Sequence, residues 1–157
     1  MDSEKAFQHY YPENFSHCYG CGRLNPHGHQ IQSHWYGEDS VAFFTPEPYH
    51  MAVPGFVYGG LIASLIDCHC VGTAAAATIR NLDIPPHEAS KIRFVTASLK
   101  VDYLKPTPLG PPLEIRGIIR EIGDRKVFVD AKVIAEGIVC ATGEVLAARI
   151  PETMFTS

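Results

Sequence analysis

Positive charge is scarce in this sequence, and what there is lies scattered. Lys and Arg number 13 against 17 Asp and Glu, for a formal net charge of -4 with His neutral. No basic run occurs anywhere in the chain. Nucleic acid and anionic membrane surfaces are therefore not expected partners. An apolar h-region is missing as well: MDSEKAFQHYYPENF opens acidic and polar, unlike a secretory signal. A disulfide framework is also lacking, because the five Cys are odd in number and show no small-domain spacing. Unpaired thiols fit a reducing compartment, so a cytoplasmic location is expected. Neither internal repeats nor low-complexity tracts appear, apart from one run of Ala.

What remains is enough for one domain with a full core: 157 residues, of which 46% are hydrophobic. The chain is organised around VPGFVYGGLIASLIDCHCVGTAAAATI, residues Val53 to Ile79. A Pro-Gly turn and a Gly-Gly step lead into a long apolar segment, predicted as a helix from near Tyr58–Gly60 to about Arg80. Its apolar residues surround the axis, which calls for cover on most sides. It is long enough to raise the question of a membrane span. Asp67, the Gly and Ala content and the absence of basic flanks argue instead for a buried helix.

Residues 1–29 read as a loop-rich extension with one helical turn near Glu4–His9, ahead of a main domain at 30–157. Gln30–Tyr36 and Ser40–Thr45 read as a hairpin. After the helix come four strand candidates: Arg93–Tyr103, Leu113–Ile122, Arg125–Ala135 and Ile138–Ile150. The last three are joined by short turns, as in an antiparallel meander. In the first, Val95, Ala97, Leu99, Val101 and Tyr103 are expected on one face. Helix and strands are segregated, which indicates α+β, with a curved sheet wrapped around the helix.

Three features carry chemistry. The Gly59-Gly60 step sits at the helix N-terminus, where unpaired N–H groups and the positive dipole end attract negative charge. Glycine there admits close approach of a ligand, or simply permits the turn. Asp67 lies two helical turns further on. In an apolar setting its carboxylate requires a hydrogen-bond partner, a wet cavity or a raised pKa. It is either a poised base or nucleophile, or a core Asp bonded to backbone or to Ser64. Gly59 and Asp67 are about 12 Å apart along a helix, too far to act on one small group within one chain. His69 reads as a satisfied core or interface histidine, and Cys68 and Cys70 as small apolar fillers. Cys18-x-x-Cys21, with His17, His27 and His29 nearby, allows a zinc site to be written down. There is no second CxxC and no standard finger spacing, so a structural turn is expected and no metal.

These residues carry a family resemblance. VPGFVYGGLIASLID is similar to the helix entrance of PaaI-like hotdog-fold acyl-CoA thioesterases. VTASLKVDYLKPTPLGPPLEIRG resembles the strand and proline-bearing turn that follow, and RKVFVDAKVIAEGIVCATGEVLAA the last two strands. HCYGCGRLNPHG resembles a segment that precedes the core. The resemblance covers about residues 17–150 and implies a hotdog fold and thioester hydrolysis without a cofactor. It implies Asp67 as base or nucleophile, and the Gly59 and Gly60 N–H groups as donors to the thioester carbonyl. The family's entrance usually reads His-Gly-Gly with an acid nine positions after the His. Here Tyr58 stands in place of that His, and Asp67 keeps the spacing. Upstream, where a polar residue is usual, His50 is on offer. Sites in this family usually lie between two protomers, so a homodimer or homotetramer is implied. Lys105, Arg125 and Lys126 are the cations available for CoA phosphates. Thr96, Ser98 and Tyr103 are polar groups on the strand after the helix. Rival readings are a non-catalytic acyl-CoA-binding protein and a small zinc protein built on Cys18 and Cys21.

Overall fold

The computed structural model describes residues 5–155. Helix α1 spans Gly59–Asn81. The strands are β1 (Ser33–Tyr36), β2 (Asp39–Phe44), β3 (Phe94–Tyr103), β4 (Leu113–Ile122), β5 (Lys126–Ala135) and β6 (Ile138–Arg149). All six form one antiparallel sheet in the order β1-β2-β4-β5-β6-β3. The predicted meander is β4-β5-β6, and the predicted hairpin is β1-β2. The predicted helical turn at the start appears as a 3-10 turn at Phe7–Tyr10. Glu4, where that prediction began, lies outside the described residues.

Helix α1 is long and apolar enough to cross a membrane, but 72% of its most apolar window is buried within the fold. It fills the concave side of the sheet. Val127, Val129, Ala131 and Val133 alternate inward along β5, and Leu113 and Ile115 do so along β4. They meet Leu65, Ile66 and Cys70 of the helix. The all-round apolar pattern thus has its physical cause in cover on most sides. The Ala74–Ala77 run keeps the helix thin where it is fully enclosed.

His69 is completely buried, as a core histidine. Its Nδ1 meets Ser33 Oγ at 2.8 Å and its Nε2 meets Ser40 Oγ at 2.9 Å, tying α1 to the first hairpin. Burial lowers its pKa from 6.5 to about 4, so the ring is neutral. The extension packs onto this network. Gln8 Nε2 donates to Ser33 Oγ, its Oε1 accepts from the Ser33 N–H, and Phe7 packs at a tilt against Trp35 with centroids 5.0 Å apart.

One strand departs from the predicted alternation. The β3–β6 register shifts between Thr96 and Ser98. Such a bulge adds one residue and reverses the side-chain parity beyond it. Phe94 and Thr96 therefore join Val101 and Tyr103 on the helix side, while Val95 is 47% exposed. The single face expected from Val95 to Tyr103 is broken at this point.

Candidate active site

Two groups of residues meet α1 along β3. The first surrounds the helix entrance. Tyr58 is the N-cap residue but makes no side-chain cap bond. Its carbonyl accepts from the Leu61 and Ile62 N–H groups at 3.1 and 3.4 Å. The Gly59 and Gly60 N–H groups make no hydrogen bond among the described residues, and so stay available at the positive end of the helix dipole. Tyr103 Oη donates to the Gly59 carbonyl at 2.6 Å, fixing the turn from the strand side. Burial, and then the neighbouring Tyr58, raises the Tyr103 pKa. The Tyr58 ring lies over Gly60, where a side-chain Cβ would come within 2.5 Å of the ring Cζ. Glycine is required there if Tyr58 is to keep this position.

Around this entrance the structure gathers His50, His29 and Lys105. The His50 carbonyl accepts from the Tyr58 N–H at 2.8 Å, and its Nδ1 accepts from the Glu47 N–H at 2.9 Å. His29, which the sequence suggested only as a metal ligand, sits 5.6 Å from His50 ring to ring and bonds to Ser64 Oγ at 3.2 Å. Its pKa is lowered by burial and by His50. A groove of about 450 Å³ runs beside the entrance, lined by Gly59, Tyr103, Lys105 and apolar residues that include Val53, Phe56 and Ile62.

The second group surrounds Asp67, which is half-buried rather than enclosed in the core. Its partner is Thr96, whose Oγ1 donates a short hydrogen bond to Oδ1. Neither alternative foreseen for a core Asp applies: Ser64 bonds to the Leu61 carbonyl and to His29 instead. The β3 bulge brings Thr96 onto the helix side, and that shift is invisible in residue types. Asp67 and Thr96 line a cavity of about 250 Å³ with Tyr11, Val71, Ala75, Phe94 and Val95, mostly apolar walls.

Cys18, Cys21 and Cys68 line the same cavity, their sulfurs all within 4.8 Å of one another. Cys68 is therefore more than an apolar filler. It is the third member of a thiol cluster whose other two members come from the extension. None of His17, His27 and His29 joins it. Hydrogen bonds from Cys21 and Cys68 hold the Cys18 thiol far below its ordinary pKa. The donors move the other way, Cys21 to about 12 through its bond to Cys18, and Cys68 upward through its bonds to Cys18 and Cys21. All five cysteines are free.

The cations proposed for phosphates do not come together within one chain. Lys105 is at the helix entrance. Arg125 and Lys126 are at the far end of the sheet, where they pair with Arg149 and Ala148. The ten residues of β3 separate the two ends. A hollow of about 1080 Å³ by Trp35, Arg80 and His87 lies at the C-terminal end of α1, away from both groups.

The sequence profile of the thioesterase superfamily matches residues 54–142. A thioesterase superfamily protein from Shewanella loihica is 46% identical in its crystal structure, covering 88% of this chain and 97% of that one at a TM-score of 0.67. The acyl-coenzyme A thioesterase THEM4 of Xenopus laevis is 34% identical over 93 residues, which is 59% of this chain and 36% of that protein. The chain thus spans about a third of that relative's length. The Escherichia coli PaaI protein, from the phenylacetic acid degradation operon, shares the fold at 16% identity and a TM-score of 0.63, over 78% of this chain and 81% of that one. The six-stranded sheet wrapped on one helix is the hotdog fold, and the chain belongs to the thioesterase superfamily.

Proposed function

We propose that the protein is an acyl-CoA thioesterase that hydrolyses a thioester to a free acid and CoA at a site shared by two protomers. The observation that carries this reading is the pairing of an open helix N-terminus at Gly59 and Gly60 with a half-buried carboxylate at Asp67, both set against β3. Water adds to the thioester carbonyl carbon while Asp67 accepts its proton. Negative charge develops on the carbonyl oxygen, which the Gly59 and Gly60 N–H groups stabilise. The C–S bond then breaks and the CoA sulfur leaves as a thiolate, to be protonated by solvent. Asp67 attacking as a nucleophile is the other route open to the same carboxylate. The apolar cavity beside Asp67 suits an acyl chain.

The two-protomer site rests on distance and on an unpaired edge. Along α1, Gly59 and Asp67 are about 12 Å apart, which exceeds the reach to one carbonyl. β3 is an edge strand that exposes Val95, Leu99 and Tyr103. Such an edge requires cover. Antiparallel pairing of two β3 edges sets the Thr96 end of one strand beside the Tyr103 end of its partner. Asp67 of one protomer then faces Gly59 and Gly60 of the other, and the Arg125–Lys126 turn approaches the partner's Lys105. A tetramer is a further assembly of the same dimer. Unpaired cysteines support a cytoplasmic location.

The alternative is acyl-CoA binding without turnover. It is favoured by Tyr58, which places a phenol where related proteins usually carry the imidazole of His. A panel of acyl-CoAs assayed for released CoA thiol, with melting temperatures measured in parallel, separates the two. Hydrolysis by the wild type, lowered at least about 100-fold in Asp67→Asn at unchanged fold, supports the enzyme. Ligand-induced stabilisation without turnover supports the binding protein, and an undiminished Asp67→Asn variant removes the assigned role of Asp67.

A further inference from the structure

Among the described residues, the thiol cluster is the group of reactive side chains that thioester hydrolysis leaves unused. Cys18 and Cys21 belong to one tight turn, closed by the Gly22 N–H to the Cys18 carbonyl at 2.8 Å. Cys68 arrives from the third turn of α1. Gly20 lies directly over the Cys68 sulfur and leaves no room there for a side chain. The turn is therefore shaped around that sulfur.

The spacing is that of metal ligands. A tetrahedral Zn²⁺ with Zn–S bonds of about 2.3 Å sets its sulfurs about 3.8 Å apart. Cys18 Sγ and Cys68 Sγ are 3.7 Å apart, and Cys21 Sγ lies within 4.8 Å of both. Charge points the same way. Arg93 is only 5% exposed and lines the same cavity, its Nε has no hydrogen-bond partner, and no salt bridge reaches it among the described residues. The guanidinium rests on the Tyr11 ring, its central carbon 4.1 Å from the centroid, and a nearby negative charge would stabilise it further. Three thiolates around a divalent cation carry a net charge of -1. The cavity, about 250 Å³, also has room for a fourth ligand such as water, at roughly 30 Å³.

We propose that Cys18, Cys21 and Cys68 bind one thiophilic divalent cation of the Zn²⁺ class, which pins the N-terminal extension to α1 at the rim of the Asp67 cavity. The fourth coordination position opens into that cavity. The metal adjoins the acyl cavity, and the proposed hydrolysis routes no step through it.

The test uses the full-length chain, reduced and freed of metal by chelator, titrated anaerobically with Cd²⁺ and with Zn²⁺. A thiolate-to-Cd²⁺ charge-transfer band that saturates at one equivalent per chain is expected. Affinity should fall at least about 100-fold in Cys68→Ser and in Cys18→Ser, the upper end of what losing even an indirect support of a ligand costs. Cys140→Ser, altered on β6 away from the cluster, should bind as the wild type does. A measurement on the unaltered chain guards against misfolded variants: bound Zn²⁺ should protect Cys18, Cys21 and Cys68 together from alkylation, mapped by mass spectrometry. No band, a band undiminished in Cys68→Ser, or protection that omits Cys68 would overturn the proposal. So would a disulfide among the three that, once reduced, leaves thiols unable to take up either ion.

Discussion

Asp67 accepts a single hydrogen bond from Thr96, and that bond decides how the carboxylate is aimed. A hydrogen bond to a charged group contributes about 1.5–3 kcal/mol. Thr96→Val should therefore lower kcat by roughly 10- to 100-fold with little change in KM, because the carboxylate stays but loses its orientation. Thr96→Ser, which keeps the hydroxyl, should recover most of the loss. Steady-state kinetics on an acyl-CoA turned over by the wild type check both, and equal loss in Ser and Val variants would sink the positioning role. At this scale the sequence was partly legible. Asp67, Gly59 and Gly60 stand out because a lone carboxylate and a paired glycine are anomalous in an apolar helix. Thr96 and Tyr103 were legible only as polar groups on the following strand, beside Ser98, because which of them meets the helix depends on the fold. Cys68 was hidden for another reason: its partners lie some fifty residues earlier, and only the fold closes that distance.

Among the elements, α1 and the first hairpin are joined by a buried polar network rather than by apolar contact alone. Its centre, His69, has its pKa lowered by burial from 6.5 to about 4. In that interval the unfolded chain takes up a proton that the folded chain refuses. Stability from this group is therefore complete above pH 6.5 and is lost as pH falls toward 4, by about 3 kcal/mol in all. Urea denaturation midpoints measured at pH 7, 5.5 and 4 should show the fall, and His69→Gln should flatten it. An unchanged slope in His69→Gln would assign the acid sensitivity to other groups. Most element boundaries followed from hydrophobic periodicity and from Pro and Gly punctuation, as β4, predicted and observed at Leu113–Ile122, shows. The β3 bulge did not, because a register shift depends on pairing with β6 and leaves no mark in the local pattern. The extension was equally opaque. Polar and turn-rich in composition, it is held by Gln8 and Phe7, whose buried contacts depend on a helix and hairpin that follow it in the chain.

At the scale of the whole molecule, the unpaired β3 edge and the spacing along α1 make one joint prediction. If each site takes Asp67 from one protomer and the helix entrance from the other, two differently damaged chains should repair each other. Asp67→Asn removes the carboxylate. Gly59→Val blocks the entrance, since even a Cβ there approaches Tyr103 Cζ to 3.3 Å. Each variant alone should be nearly inactive. When the two are mixed, unfolded and refolded together, half of the dimers are mixed. In a two-fold dimer one of the two sites in each mixed pair combines the two undamaged halves, so the pool should recover about a quarter of wild-type activity. The other site carries both lesions. Light scattering on each variant establishes that the dimer itself survives the substitutions, and Leu99→Lys, which places a charge on the exposed β3 edge, should yield monomers with little turnover. No recovery on mixing, from variants that remain dimeric, would overturn the shared site. Because Gly59 and Asp67 are about 12 Å apart along α1, too far to act on one carbonyl within a chain, one of the two would then have no part in the reaction.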